Sequence, residues 1–202
     1  MDRPLLQIVI ASTRPGRIGL PIAEWVAERA RSHEGFEVEL VDLAEVDLPL
    51  FDEPHHPRLG RYEHDYTKAW SATVSRADAF VFVMPEYNHG FNAAIKNALD
   101  FLYTEWNHKP AGLVSYGGVA GGTRAVALLK PVLSALQMVP VVQAVPIPFA
   151  MRQVVDGRFE ATEPLEQGAD AMFGALATMV DALAPLRTGT GTSHQPPPTS
   201  VL

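Results

Sequence analysis

The chain has 202 residues, of which 47% are apolar and 19% charged, with a net charge of −7 and no cysteine. Its length and balance favour one globular domain. The absence of cysteine excludes disulfides, thiolate metal sites, cysteine nucleophiles and cysteine-ligated iron–sulfur clusters, and the net negative charge argues against a nucleic-acid partner.

Apolar runs of strand length alternate with helically spaced apolar residues along the chain. The run at 79–83 is apolar without alternation, which is typical of a strand buried on both faces. Pro131 falls inside one predicted helix, where we expect a kink or a lost backbone bond. The predicted elements are strands at 5–11, 36–41, 79–83, 111–116 and 139–147, with helices at 19–32, 61–76, 92–103, from about 123, and 165–183.

This order, β-α repeated five times, predicts an α/β fold with a five-stranded parallel sheet and helices on both faces. We predict one domain at 1–186. The remainder, 187–202, is rich in Gly, Thr, Ser and Pro, and we predict a flexible tail there.

We expect no membrane-spanning segment, because no apolar run is long enough, and no signal peptide, because a charged leader is absent. Without cysteine, a cytoplasmic location is the default prediction.

Ligands of such sheets bind at the carboxyl ends of the strands, so the loops there are the candidate site. The loop after the first strand carries Ser12, Thr13, Arg14 and Arg17 and leads into a helix at Gly19. Hydroxyls, guanidinium groups and a helix N-terminus suit a phosphate. The alternative is an ordinary strand-to-helix loop with a helix cap.

The loop after the third strand suits a flat heteroaromatic ring. Pro85 stiffens the strand exit, Tyr87 offers an apolar face, and the backbone around Asn88 offers donors and acceptors. The alternative is a helix-start turn capped by Asn88. We expect Glu86 to anchor local amides in preference to acid–base catalysis, and His89 to be a surface or interface residue.

The loop after the fourth strand, 115–122, has four glycines within its last six positions. Glycine permits close approach of the backbone to a ligand, although loop flexibility is the alternative explanation. A further acidic loop contains Asp52, Glu53, His55 and His56, followed by His64. We predict a surface loop without a metal site, because a metal site needs ligands that converge in a fixed geometry.

Taken together, these segments resemble the NADPH-dependent FMN reductase family over residues 5 to 184. The most specific element is Pro85-Glu86-Tyr87-Asn88 followed by Lys96-Asn97-Ala98-Leu99-Asp100. The loop from Ser12 to Arg17 is similar to the family's Gly-Ser-x-Arg phosphate loop, with Ala11 where glycine is common. The resemblance implies a flavodoxin-like three-layer sandwich with strand order 2-1-3-4-5.

The resemblance also implies which residues bind the cofactor. The FMN phosphate would be held by Ser12, Thr13, Arg14, Arg17, Ile18 and Gly19. The isoalloxazine would be lined by Pro85, Glu86, Tyr87 and Asn88. The ribityl and further ring contacts would come from Ser115, Tyr116, Gly117 and Gly118.

The activity so implied is NAD(P)H-dependent reduction of a small acceptor, such as free flavin, a quinone or an azo compound, by ping-pong hydride transfer through the flavin N5 without a catalytic side chain. The alternative is a flavodoxin-type electron carrier that does not itself oxidise NAD(P)H; Arg14 and Arg17 favour the reductase. The resemblance further implies a homodimer or homotetramer, and we predict that Phe101, Tyr103 and Trp106 contribute to the subunit interface.

Overall fold

The fold of the chain comes from a computed structural model, which describes residues 3–187. The predicted tail beyond Arg187 lies outside the described residues. The strands are β1 (Leu5–Ile10), β2 (Glu37–Asp42), β3 (Ala79–Tyr87), β4 (Gly90–Phe91), β5 (Pro110–Tyr116), β6 (Val139–Ile147), β7 (Val154–Val155) and β8 (Arg158–Phe159). The helices are α1 (Gly19–Ser32), α2 (Leu43–Val46), α3 (Asp65–Arg76), α4 (Ala93–Asp100), α5 (Thr123–Ala135) and α6 (Glu163–Arg187).

Five parallel strands form the sheet in the order β2-β1-β3-β5-β6. This is the predicted order 2-1-3-4-5 of the five long strands, and it is confirmed. The chain passes from β1 to β2 on one side of the sheet, and from β3 to β5 on the other side. The direction of the connections therefore reverses between β1 and β3. Such a switch point opens a crevice at the carboxyl ends of the strands.

Two short antiparallel pairs were not predicted. β4 pairs with the end of β3, and β7 pairs with β8. The strands β4, β7 and β8 have only two residues each, too short for an apolar period to reveal them. Pro131 is accommodated within α5, which continues to Ala135.

The apolar core has two layers, one on each face of the sheet. Along β3, Val81 and Val83 face the layer formed with α1 and α6, whereas Phe80 and Phe82 face the layer formed with α3, α4 and α5. A strand with large apolar side chains on both faces explains the uninterrupted run at 79–83.

Helix α6 is long and apolar enough to cross a membrane by length and composition alone. The sequence-based expectation that no segment has this character was therefore wrong. Its inner face, which includes Met172, Phe173 and Leu176, is buried against the sheet. This packing within the domain accounts for the apolar residues of the inner face.

The predicted aromatic interface was also wrong. Phe101 and Trp106 are 0% and 1% exposed and belong to the second core layer, where Trp106 packs against Trp70 and Phe80. Tyr103 is half-buried beneath the guanidinium of Arg58. Phe101 and Trp106 turn inward because they complete the protein's own core.

Candidate functional site

The three loops predicted to form the site meet in one cleft at the β1/β3 switch point. Segments after β1, β3, β5 and β6 line it. The lining residues are Ser12, Arg14, Gly16, Arg17, Ile18, Pro85, Glu86, Tyr87, Tyr116, Gly117, Ala150 and Met151.

Five predicted site residues lie outside this lining, for different reasons. Thr13 faces a separate cavity between α2 and α4. Gly19 is buried beneath Tyr116, and the Ser115 hydroxyl donates to the Gly121 carbonyl at 2.8 Å inside the third loop. Asn88 lies in a tight turn, and Gly118 accepts backbone hydrogen bonds from Gly121 and Phe149.

The first loop is closed by a turn from Arg14 to Arg17. The Arg17 backbone N–H donates to the Arg14 carbonyl at 3.1 Å, and Gly16 has φ +71°. Pro15 and Gly16 thus occupy the positions that a type II turn favours for proline and glycine. The turn leads directly into α1, which has neither a side-chain cap nor an acidic residue in its first turn.

The N-terminus of α1 is therefore open to an anion. The first amide groups of a helix have no partner within the helix, and the helix dipole favours negative charge there. The buried Tyr116 phenol lies against this end, because a Cβ on Gly19 would be 2.7 Å from its oxygen. That hydroxyl makes no hydrogen bond of ordinary geometry among residues 3–187, and burial, opposed in part by the nearby Ser12 side chain, raises the pKa of Tyr116. It is thus a neutral donor at the α1 N-terminus.

The second loop is a hairpin turn and does not start a helix. Asn88 and His89 have φ of +49° and +70°, and Tyr87 pairs with Gly90 across the turn. Two successive residues of positive φ are the signature of a type I′ hairpin turn. The helix-cap alternative for Asn88 is therefore wrong, since Asn92 occupies the N-cap position of α4.

Hydrogen bonds join the first and second loops. The Tyr87 hydroxyl lies 3.0 Å from the buried Ser12 Oγ, and the Asn92 amide donates to the Ala11 carbonyl at 2.6 Å. These bonds hold the Tyr87 ring at the side of the cleft, with about a third of the residue exposed.

Glu86 anchors the second loop to α5. Its carboxylate accepts from the Arg124 backbone N–H at 3.2 Å and the Arg124 Nε at 2.6 Å. The contact with the Arg124 guanidinium, aided by backbone N–H groups at the start of α5, holds the pKa of Glu86 below its usual value. Glu86 is therefore ionised near neutral pH and has no proton to donate, which fits the anchoring role and not acid catalysis.

The third loop needs glycine at a defined position. Gly122 has φ +85°, and a Cβ there would lie 2.8 Å from the Tyr116 backbone nitrogen and 2.6 Å from the Ser115 Cβ. The glycines of this loop therefore serve tight backbone packing and are not simply flexible.

The segment after β6 completes the cleft and was missed by the sequence reasoning. Ala150 and Met151 line it, and the backbone N–H groups of Phe149 and Ala150 donate to the carbonyls of Gly118 and Gly117. The signal was present, because β6 ends at the same edge of the sheet as the other parallel strands.

The acidic loop lies apart from this cleft and is ordered by Glu53. The buried Glu53 carboxylate accepts from the backbone N–H groups of Glu63 and His64 at 2.9 and 3.1 Å. Burial alone would raise the pKa of Glu53, but these donors outweigh it and hold the pKa below its usual value. In the described part of the chain, no three His, Asp or Glu side chains converge as a metal site would need.

Comparison with known proteins gives the family. The sequence profile of NADPH-dependent FMN reductases matches residues 5–152. An NAD(P)H-dependent FMN reductase of Schizosaccharomyces pombe is 40% identical over 185 residues, covering 89% of this chain and 92% of the relative. An NADPH azoreductase of a Bacillus species is 32% identical, covering 60% and 65%.

The fold has solved counterparts as well. The structure of FerB, a flavoenzyme NAD(P)H:(acceptor) oxidoreductase from Paracoccus denitrificans, superposes with a TM-score of 0.71 at 20% identity, covering 89% of this chain and 98% of that one. The family profile extends across the loops of the cleft. The chain therefore belongs to the NADPH-dependent FMN reductase family.

Proposed function

We propose that the chain binds FMN in the cleft at the β1/β3 switch point and acts as an NAD(P)H-dependent oxidoreductase on a small acceptor. Free flavin, quinones and azo compounds are the acceptor classes we propose. The observation that carries the proposal is the open N-terminus of α1 beneath the buried, unpartnered Tyr116 hydroxyl. At this end of the cleft, hydrogen-bond donors lack acceptors within residues 3–187, as a site for a phosphate requires.

The remaining residues fit the rest of FMN. Arg14 supplies positive charge at the phosphate end, and Ser12 supplies a hydroxyl. Pro85 and Tyr87 offer a wall for the isoalloxazine, and Gly117 leaves its side of the cleft open. Asn88, Ser115 and Gly118 would then shape the loops that hold the ring, and Gly19 would allow the approach of Tyr116.

Bound FMN would supply the redox chemistry, accepting hydride from NAD(P)H and returning electrons to the acceptor. The protein would bind, orient and exclude water. Because Glu86 is ionised and occupied by Arg124, we assign it no proton transfer. The reaction then needs no catalytic side chain, and both substrates would enter the same cleft in turn.

The test is the visible spectrum of the protein after reconstitution with FMN and desalting, before and after anaerobic addition of NADPH and NADH. A retained flavin band that either nucleotide bleaches supports the reductase. Retained flavin that stays oxidised with both favours the electron carrier. If no flavin is retained, the site proposal fails. Parallel lines in steady-state kinetics would support alternate binding of the two substrates.

We also propose a homo-oligomer formed through the face between α2 and α4. Leu50 is 83% exposed, and the Asn97 side chain fixes its turn by donating to the Pro49 carbonyl at 2.6 Å and accepting from the Phe51 N–H at 2.9 Å. Leu50 borders a cavity of about 290 Å³, largely lined by leucine and alanine residues of α2, of the loop that follows α2, and of α4. A projecting leucine beside an apolar hollow suits a two-fold contact. Light scattering should show an oligomer that Leu50→Glu dissociates; a monomeric wild type would refute it.

A further inference from the structure

The two arginines of the first loop lie at opposite ends of one turn but in different surroundings. Arg14 and Arg17 are joined through the backbone, since the Arg17 N–H donates to the Arg14 carbonyl. Both line the cleft. From the sequence alone they are equivalent candidates for binding a phosphate.

The Arg17 guanidinium is already committed to the protein. Its Nη1 donates to the Ser12 carbonyl at 2.8 Å, and its Nη2 forms an ion pair with the Asp42 carboxylate. The side chains of this pair are only 17% and 9% exposed, so solvent screens their attraction weakly. The other Asp42 oxygen accepts from the Ala44 N–H at 2.9 Å at the start of α2.

These contacts link the phosphate loop to the end of β2. Asp42 is the last residue of β2, which is the neighbour of β1 in the sheet. Arg17 closes the loop in two ways. Its backbone N–H bonds to Arg14, and its side chain contacts Ser12 and Asp42. Such bonds fix the spacing between the Ser12 hydroxyl and the N-terminus of α1.

Arg14, in contrast, is exposed and has no ion pair or side-chain hydrogen bond within residues 3–187. Its planar fork of donors is therefore available to an anion in the cleft.

We propose that Arg17 is a positioning residue, which together with Asp42 holds the phosphate loop in its binding shape, while Arg14 is the arginine that contacts the phosphate. This inference rests on the proposed function, because it assumes that the phosphate is that of FMN. On this proposal Asp42 promotes phosphate binding, although it is an acidic residue beside an anion site.

Neutralising Asp42 distinguishes the two roles of Arg17 by sign. If Arg17 contacted the phosphate directly, Asp42→Asn would release it from a competing carboxylate and remove a negative charge, so FMN would bind more tightly. If Arg17 holds the loop, the same change loosens the loop and FMN binds more weakly. Asparagine keeps an oxygen for the Ala44 N–H, because it caps helices as well as aspartate does.

The experiment measures the affinity of the full-length protein for FMN and for riboflavin, which lacks the phosphate, by quenching of flavin fluorescence. We expect Asp42→Asn and Arg17→Gln each to weaken FMN binding about tenfold. Riboflavin affinity should change less than about twofold, because riboflavin has no phosphate. A general loss of folding would instead weaken the binding of both ligands alike. The double variant should bind FMN no more than about twofold more weakly than either single variant, because both substitutions remove the same interaction.

Two further variants complete the design. Glu45→Gln removes the same charge from an exposed residue of α2 and should leave FMN affinity unchanged. Arg14→Gln should weaken FMN but not riboflavin. In the apo protein, hydrogen exchange of amides 12–19 should accelerate in Asp42→Asn and not in Arg14→Gln, a readout that is independent of activity.

The outcomes separate the inference from the proposed function. If wild type does not bind FMN, the proposed function fails. If wild type binds FMN and Asp42→Asn binds it as tightly or more tightly, or if the effects of Arg17→Gln and Asp42→Asn add, only the positioning role is overturned.

Discussion

Replacing Glu86 by glutamine tests whether this residue anchors the site or takes part in proton transfer. The substitution keeps the shape of the side chain but removes the charge that binds Arg124 and the start of α5. The Glu86 side chain is only 7% exposed, whereas that of Arg124 is 46% exposed. Hydrogen bonds to charged groups contribute about 1.5–3 kcal/mol, so with partial solvent screening we expect a loss of about 2 kcal/mol at pH 7. In a domain of this size that lowers Tm by about 4–8 °C.

The loss should depend on pH in a defined direction. Contact with Arg124 lowers the pKa of Glu86 below 4.5 in the folded protein, so between the two pKa values the unfolded chain binds more protons. The stabilisation is fully present above pH 4.5 and is lost as the pH falls through the folded-state pKa. Since glutamine does not titrate, the difference between wild type and Glu86→Gln should shrink with acidification.

The assay is urea unfolding of both proteins between pH 7 and pH 3, with flavin affinity measured at pH 7. Asp100→Asn is the matched control, because it neutralises a carboxylate in the half-exposed Lys96–Asp100 pair and should cost less than about 1 kcal/mol. Equal stability of wild type and Glu86→Gln at pH 7, together with a large fall in turnover of the flavin-loaded protein, would refute the anchoring role.

Two other predictions concern glycine and buried charge. Gly122→Ala should destabilise the third loop and abolish flavin retention, because its Cβ would meet the Tyr116 backbone; Gly118→Ala, with nothing within 4 Å of its Cβ, should be tolerated in thermal melts. Burial lowers the pKa of Lys109 to about 8 in the folded protein, whereas its ordinary value in the unfolded chain is 10.5. As the pH rises, the folded protein therefore releases this proton before the unfolded chain does. The stability of wild type relative to Lys109→Met should therefore rise from pH 7 to pH 9.5, by up to about 2 kcal/mol; a constant difference would contradict it.

The sequence was sufficient for the sheet and for the cleft in which we propose that FMN binds. Strand 79–83 could be recognised because both of its faces are apolar, and strand order followed from the family resemblance. Once the strands are parallel, their carboxyl ends must share one edge, which brings Ser12, Tyr87 and Tyr116 together.

The roles of individual side chains were beyond the sequence, because they depend on contacts between distant segments. Arg17 and Asp42 are 25 residues apart, and Glu86 and Arg124 are 38 apart. No local pattern reports that an arginine has an acidic partner across a sheet edge. For the same reason Trp106 resembled an interface residue, although it fills the core beside Trp70.

The cleft is built from loops that hold one another, and this arrangement separates what must stay fixed from what can vary. Bonds between loops determine the backbone positions, whereas Met151 and Phe149 at the rim after β6 remain exposed. A change in a bracing pair should displace the loop that the pair holds, whereas a change at the rim should alter only what reaches the ring. Relatives with different acceptors should therefore differ more at the rim than in the side-chain bracing pairs, which here are Ser12–Tyr87, Arg17–Asp42 and Glu86–Arg124.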